Sequence, residues 1–105
     1  MTKVELIFDA TCPHVDAARV ELRRALQHAG QPLIWTEWDR AASDAPPYAQ
    51  RYASPTVLVA GHDVAGAGAL DAGSGCRVYA CANGTFAGAP SAETILAALL
   101  GATRA

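Results

Sequence analysis

The sequence predicts an α/β fold, and three observations carry that expectation. Val4 to Phe8 is a short, nearly continuous apolar run, the pattern of a strand buried on both faces. Behind it, Val15, Ala18, Leu22, Ala25, Leu26 and Ala29 recur at three- and four-residue spacing, which makes an amphipathic helix that packs on a sheet. Val57-Leu58-Val59-Ala60 repeats the buried-strand pattern in mid-chain. With the remaining segments these give the order β-α-β-α-β-β-α. No internal repeat or linker interrupts it, so residues 1–105 read as one domain.

Each element has its own signals. Thr11 stands as N-cap of the first helix and Pro13 falls in its first turn, where a missing N–H costs nothing. Arg19, Glu21, Arg23, Arg24 and Gln27 lie largely on the opposite side of that helix, and Gly30 ends it. Pro32 to Trp38 alternates roughly, with Leu33, Trp35 and Glu37 on one side and Ile34, Thr36 and Trp38 on the other, as in a second strand. The two tryptophans are expected to pack on a sheet edge. After a polar connection over 39–44, Pro46 and Pro47 open a short helix through Tyr48, Gln50 and Tyr52. Ala53-Ser54-Pro55-Thr56 punctuates the chain before the third strand, and Gly61-His62-Asp63 reads as a turn after it. Residues 65–75 are rich in glycine and alanine and read as a loop of a length more often functional or mobile than idle. Cys76 to Cys81 gives a fourth strand, with Arg77 and Tyr79 on one face and Val78 and Ala80 on the other. Asn83-Gly84 marks a tight turn. Ser91 caps the last helix and Glu93 complements its dipole. Ile95, Leu96, Leu99 and Leu100 form its apolar face and Gly101 stops it.

Composition narrows the function. Hydrophobic residues make up 51% and charged residues 17%, with a net charge of −2, which argues against a nucleic-acid or anionic-membrane partner. The start has no basic, apolar leader pattern, and no apolar stretch approaches the roughly 18 residues of a membrane span. The expected compartment is the cytoplasm. Thiols stay reduced there, so three cysteines read as redox or soft-metal chemistry rather than a structural framework. The spacing offers no zinc-type Cys-x-x-Cys or His-x-x-x-His pair, so no resident metal is expected. His28 and His62-Asp63 read as surface residues. Gly66-Ala67-Gly68 and Gly73-Ser74-Gly75 lack the lysine and helix of a phosphate loop, so no nucleotide or other cofactor is expected.

Cys12 follows the first strand by four residues and opens the first helix. The order of elements, this cysteine and the Ser54-Pro55-Thr56 before the third strand together resemble the thioredoxin-like superfamily across essentially the whole chain. Closer still is the similarity to small bacterial proteins of that superfamily, some labelled alkylmercury-lyase-like, in the Cys12-Pro13-His14-Val15 opening, in Cys76-Arg77-Val78-Tyr79 and in Gly88-Ala89-Pro90. The resemblance implies a thioredoxin-like fold, with a central four-stranded mixed sheet flanked by helices. It implies that Cys12 is the nucleophile and Pro55 a cis-proline across from it. Pro13, His14, Ser54, Pro55 and Thr56 would then contact a protein or small-molecule thiol or disulfide. The chain departs from thioredoxin where the second cysteine of a dithiol motif belongs, for Val15 stands there. Nor does the Gly-Asp signature of glutaredoxins follow Tyr79.

Two readings of Cys12 stay open. It is either an inert, buried cap or a thiolate favoured by the helix N-terminus, with charge from His14 when that ring is protonated. Cys76 and Cys81, five residues apart on one strand, face opposite ways and do not pair with each other. A strand leaving the cis-proline runs away from Cys12 and its hairpin partner returns, so Cys81 is the first candidate for a resolving thiol and Cys76 the second. The leading expectation is a monothiol redox protein. The alternatives are a thiolate site for mercury, copper or arsenite, and a non-catalytic interaction module.

Overall fold

β1 (Val4–Phe8) is the spine of the sheet because it is paired on both sides. Residues 2–66, 79–80 and 86–104 are described by the computed structural model. In chain order β1 is followed by α1 (Val15–Ala29), β2 (Thr36–Asp39), a 3₁₀ helix (Pro47–Arg51), β3 (Thr56–Val59) and β4 (His62–Asp63). β5 (Tyr79–Ala80), β6 (Phe86–Ala87) and α2 (Ala92–Arg104) complete the described elements. The main sheet is four-stranded and mixed, in the order β2-β1-β3-β4. β1 and β2 are parallel, so α1 must carry the chain back between them.

Alternation along the strands divides the core between two faces. Val4 and Leu6 of β1 and Val57 and Val59 of β3 meet α1 and α2 through Val15, Ala18, Leu22, Leu26, Ile95 and Leu99. Ile7 and Leu58 point the other way, against Ala49 and Tyr52 around the 3₁₀ helix. Glu5 also faces that second side. It is 1% exposed, and its carboxylate accepts hydrogen bonds from Trp38 Nε1 at 2.8 Å and from the Tyr48 hydroxyl. A buried carboxylate is tolerated when such donors replace its water.

Several elements differ from the sequence expectation. The fourth strand of the sheet is His62–Asp63, expected as a turn. The turn lies one step earlier, at Ala60 and Gly61, which both take positive φ (52° and 82°) and join β3 to β4 as a two-residue hairpin. Of the strand expected over 76–81, Tyr79–Ala80 forms β5 and pairs with β6 in a separate two-stranded sheet. Cys76, Cys81 and positions 67–75 of the glycine-rich loop lie outside the described residues. The second strand is confined to Thr36–Asp39, and the helix opened by Pro46 and Pro47 is 3₁₀ rather than α. α2 continues past Gly101 to Arg104. α1 ends at Gly30 as expected, in left-handed conformation with its N–H bonded to the carbonyl of Gln27 at 3.1 Å.

Candidate functional site

The end of β1 turns sharply before α1. The Cys12 N–H bonds the Asp9 carbonyl at 2.9 Å, closing a turn over Asp9-Ala10-Thr11-Cys12. The Asp9 carboxylate accepts the Thr11 N–H at 3.2 Å and its hydroxyl at 3.0 Å. Those two bonds, with Arg40 nearby, hold the Asp9 pKa below the ordinary carboxylate value. Thr11 is thereby committed to the turn and does not cap the helix. His14 is the N-cap, with no side-chain cap bond, and α1 begins at Val15. Pro13 therefore precedes the helix, and Cys12 stands two residues before the N-cap, at the positive end of α1.

The thiol is nearly covered. Cys12 is 9% exposed and belongs to the helix-side core. It opens onto a shallow groove of about 260 Å³ lined by Phe8, Ala10, Cys12, Pro13, Val15, Asp16 and Arg19. Arg19 forms one wall and is held firmly. Its Nε and one Nη donate to the two oxygens of Glu37 at 2.9 Å each, and the other Nη donates to Asp16 at 2.7 Å. Trp35 Nε1 donates to Glu37 at 2.9 Å, and the guanidinium lies 5.6 Å from the centroid of the Phe8 ring. The Arg19 bonds hold the Glu37 carboxyl below its ordinary range and push the guanidinium pKa up.

Pro55 lies at the same end of the sheet. β1 and β3 are antiparallel with Ile7 opposite Thr56, so β3 starts at the end of the sheet from which β1 leaves for the Cys12 turn. The Ser54–Pro55 peptide is cis. Two hydroxyls fix this corner: Thr56 Oγ1 donates to the Ala53 carbonyl, and Tyr79 donates to the Pro55 carbonyl from β5. Ser54 and Thr56 are each 0% exposed, so their side chains shape the corner from beneath rather than facing a ligand. Ser54 Oγ has no hydrogen-bond partner among the described residues.

His14 is exposed but anchored. Its ring lies against Gly88, in space that a Cβ at Gly88 would need, so the Gly88-Ala89-Pro90 segment braces the start of α1. Tyr79, Arg19 and Glu37 are the participants that sequence reasoning missed. Arg19 read as part of the outward face of the first helix, so nothing in the sequence pointed to its pairing with Glu37. Among the described residues no group of three or more His, Cys, Asp or Glu could hold a metal ion, and no helix is long and apolar enough to cross a membrane. Compared with protein-family models, curated proteins and solved structures, the chain matches none.

Proposed function

We propose that this chain has a thioredoxin-like fold and works as a thiol redox protein, with Cys12 as its nucleophile in a monothiol mechanism. The observation that carries the reading is that Cys12 follows the end of β1 while a cis-proline immediately precedes β3, at the same end of two paired central strands. It is supported by the groove, which gives the thiol an opening beside the positive end of α1. Pro13 and His14, both exposed, are the contacts offered to an incoming protein or small-molecule disulfide.

The chemistry is exchange, with no net loss of electrons. The Cys12 thiolate attacks one sulfur of a substrate disulfide, forming a mixed disulfide and expelling the other half as a thiolate. An internal second thiolate attacks the Cys12 sulfur, forming an intramolecular disulfide and expelling the substrate half as a thiolate, and an external thiol then reduces that disulfide. An external thiolate acting alone takes the substrate half as its own disulfide and restores Cys12. Val15 occupies the position from which the same helix would supply that second thiol, so it must come from Cys81, Cys76 or an external thiol.

The test is alkylation of a variant that retains Cys12 as its single cysteine, followed against pH. The expected midpoint lies below the ordinary thiol value of about 8.5, and Cys12→Ser abolishes disulfide reductase turnover in the full chain. A midpoint at or above that value, with turnover surviving Cys12→Ser, would falsify the assignment.

A further inference from the structure

We propose that Arg19 selects the substrate of this groove by binding a carboxylate carried on a small thiol or disulfide compound. This rests on Cys12 being the nucleophile, and it adds a preference that the cysteine alone does not give.

A guanidinium has five N–H donors, and among the described residues three of them are engaged, two on Glu37 and one on Asp16. Two remain, on a side chain that lines the same groove as Cys12 and is 34% exposed. The group is preorganised, because Glu37 grips one edge, Trp35 steadies Glu37, and Phe8 lies against the guanidinium. It therefore presents donors without first being ordered. Its two present partners differ in how firmly they hold. Glu37 is two-thirds covered and doubly bonded, whereas the Asp16 side chain is 91% exposed and makes one bond. An exposed single contact of that kind is weak, so a ligand carboxylate can take the place of Asp16 while Glu37 keeps the guanidinium in position. A carboxylate suits the site because planar N–H pairs match its two oxygens.

The experiment compares two chromogenic disulfides in the variant retaining Cys12 as its single cysteine. One is the dicarboxylate dithiobis-nitrobenzoate and the other the uncharged dithiodipyridine, and the readout is the ratio of their reaction rates. Arg19→Gln is expected to lower the ratio by about tenfold, the weight of one charge-assisted pair, and the drop should shrink at high salt. Asp16→Asn should raise the ratio by freeing a donor, and its exposure means it can be replaced without unfolding the chain. Arg51→Gln, on the 3₁₀ helix outside the groove, controls for net charge and should leave the ratio unchanged. The proposal is overturned if Arg19→Gln leaves the ratio intact, or if Arg51→Gln lowers it equally. A single-cysteine variant that does not react with dithiodipyridine, or whose reaction midpoint lies at or above about 8.5, identifies a failure of the nucleophile assignment instead, and removes this proposal with it.

Discussion

Gly88 shows how one small residue can set the geometry of the turn that leads into α1. The His14 ring occupies the space beside its Cα, and His14 is the N-cap that positions Cys12 before α1. Gly88→Ala forces the imidazole or the Gly88-Ala89-Pro90 segment to move. A cost of about 1–3 kcal/mol is expected, the range for overpacking, together with altered Cys12 alkylation kinetics. Both are read by urea unfolding and thiol labelling of the same variant. Unchanged stability and labelling would show that the ring swings away freely. Glu5 is the second residue of this kind. The Val4–Phe8 run reads as apolar, yet its one carboxylate is buried and bonded to Trp38 and Tyr48. Glu5→Ala leaves two buried-side donors without their acceptor, so it should cost more than either Trp38→Phe or Tyr48→Phe alone.

Tyr48 carries that network into the 3₁₀ element. Its hydrogen bond to the Glu5 carboxylate pushes the phenol pKa up to about 12. The folded value lies above the ordinary value of about 10, so the neutral phenol is the form that folding favours. Its contribution is therefore complete below about pH 10 and is lost as the pH rises towards 12. Wild-type stability should fall through that window while Tyr48→Phe stays flatter, and tyrosinate absorbance should show a late-titrating phenol in the wild type that the variant lacks. An early, unshifted titration of all tyrosines would contradict the contact. At the same scale, legibility in the sequence follows burial periodicity. β1, α1 and β3 announced themselves because each buries a regular apolar face. β4 is two residues long, too short to display a period, and its register comes from the Ala60-Gly61 hairpin. The N-cap was misread because Thr11 has the chemistry of a cap but is occupied by Asp9, a competition between two hydrogen-bonded turns that composition cannot rank. Of the candidate site, Cys12 and Pro55 were legible as punctuation. Arg19, Glu37 and Tyr79 were not, since each acts through a partner distant in sequence.

On the scale of the molecule, the sheet separates a large core from a small one. Among the described residues, the helix side joins both helices to β1 and β3 through thirteen buried residues, whereas the other side rests on Ile7, Ala49, Tyr52 and Leu58. Cooperative stability should therefore reside on the helix side, with the 3₁₀ side opening locally at lower free energy. Leu99 is 0% exposed in α2 and belongs to the large core. Leu99→Ala is expected to cost about 2–5 kcal/mol and to lower the hydrogen-exchange protection of β1, β3, α1 and α2 together, since all four share that core. Tyr48→Phe should instead speed exchange in the 3₁₀ helix and leave α1 nearly unchanged. Equal loss of protection on both faces in both variants would mean that the sheet transmits its packing as one unit. The difference bears on the proposed function because Cys12 is itself a member of the large core. A thiol seated there keeps its geometry while the far face opens, so Tyr48→Phe should leave Cys12 alkylation rates unchanged where Leu99→Ala raises them.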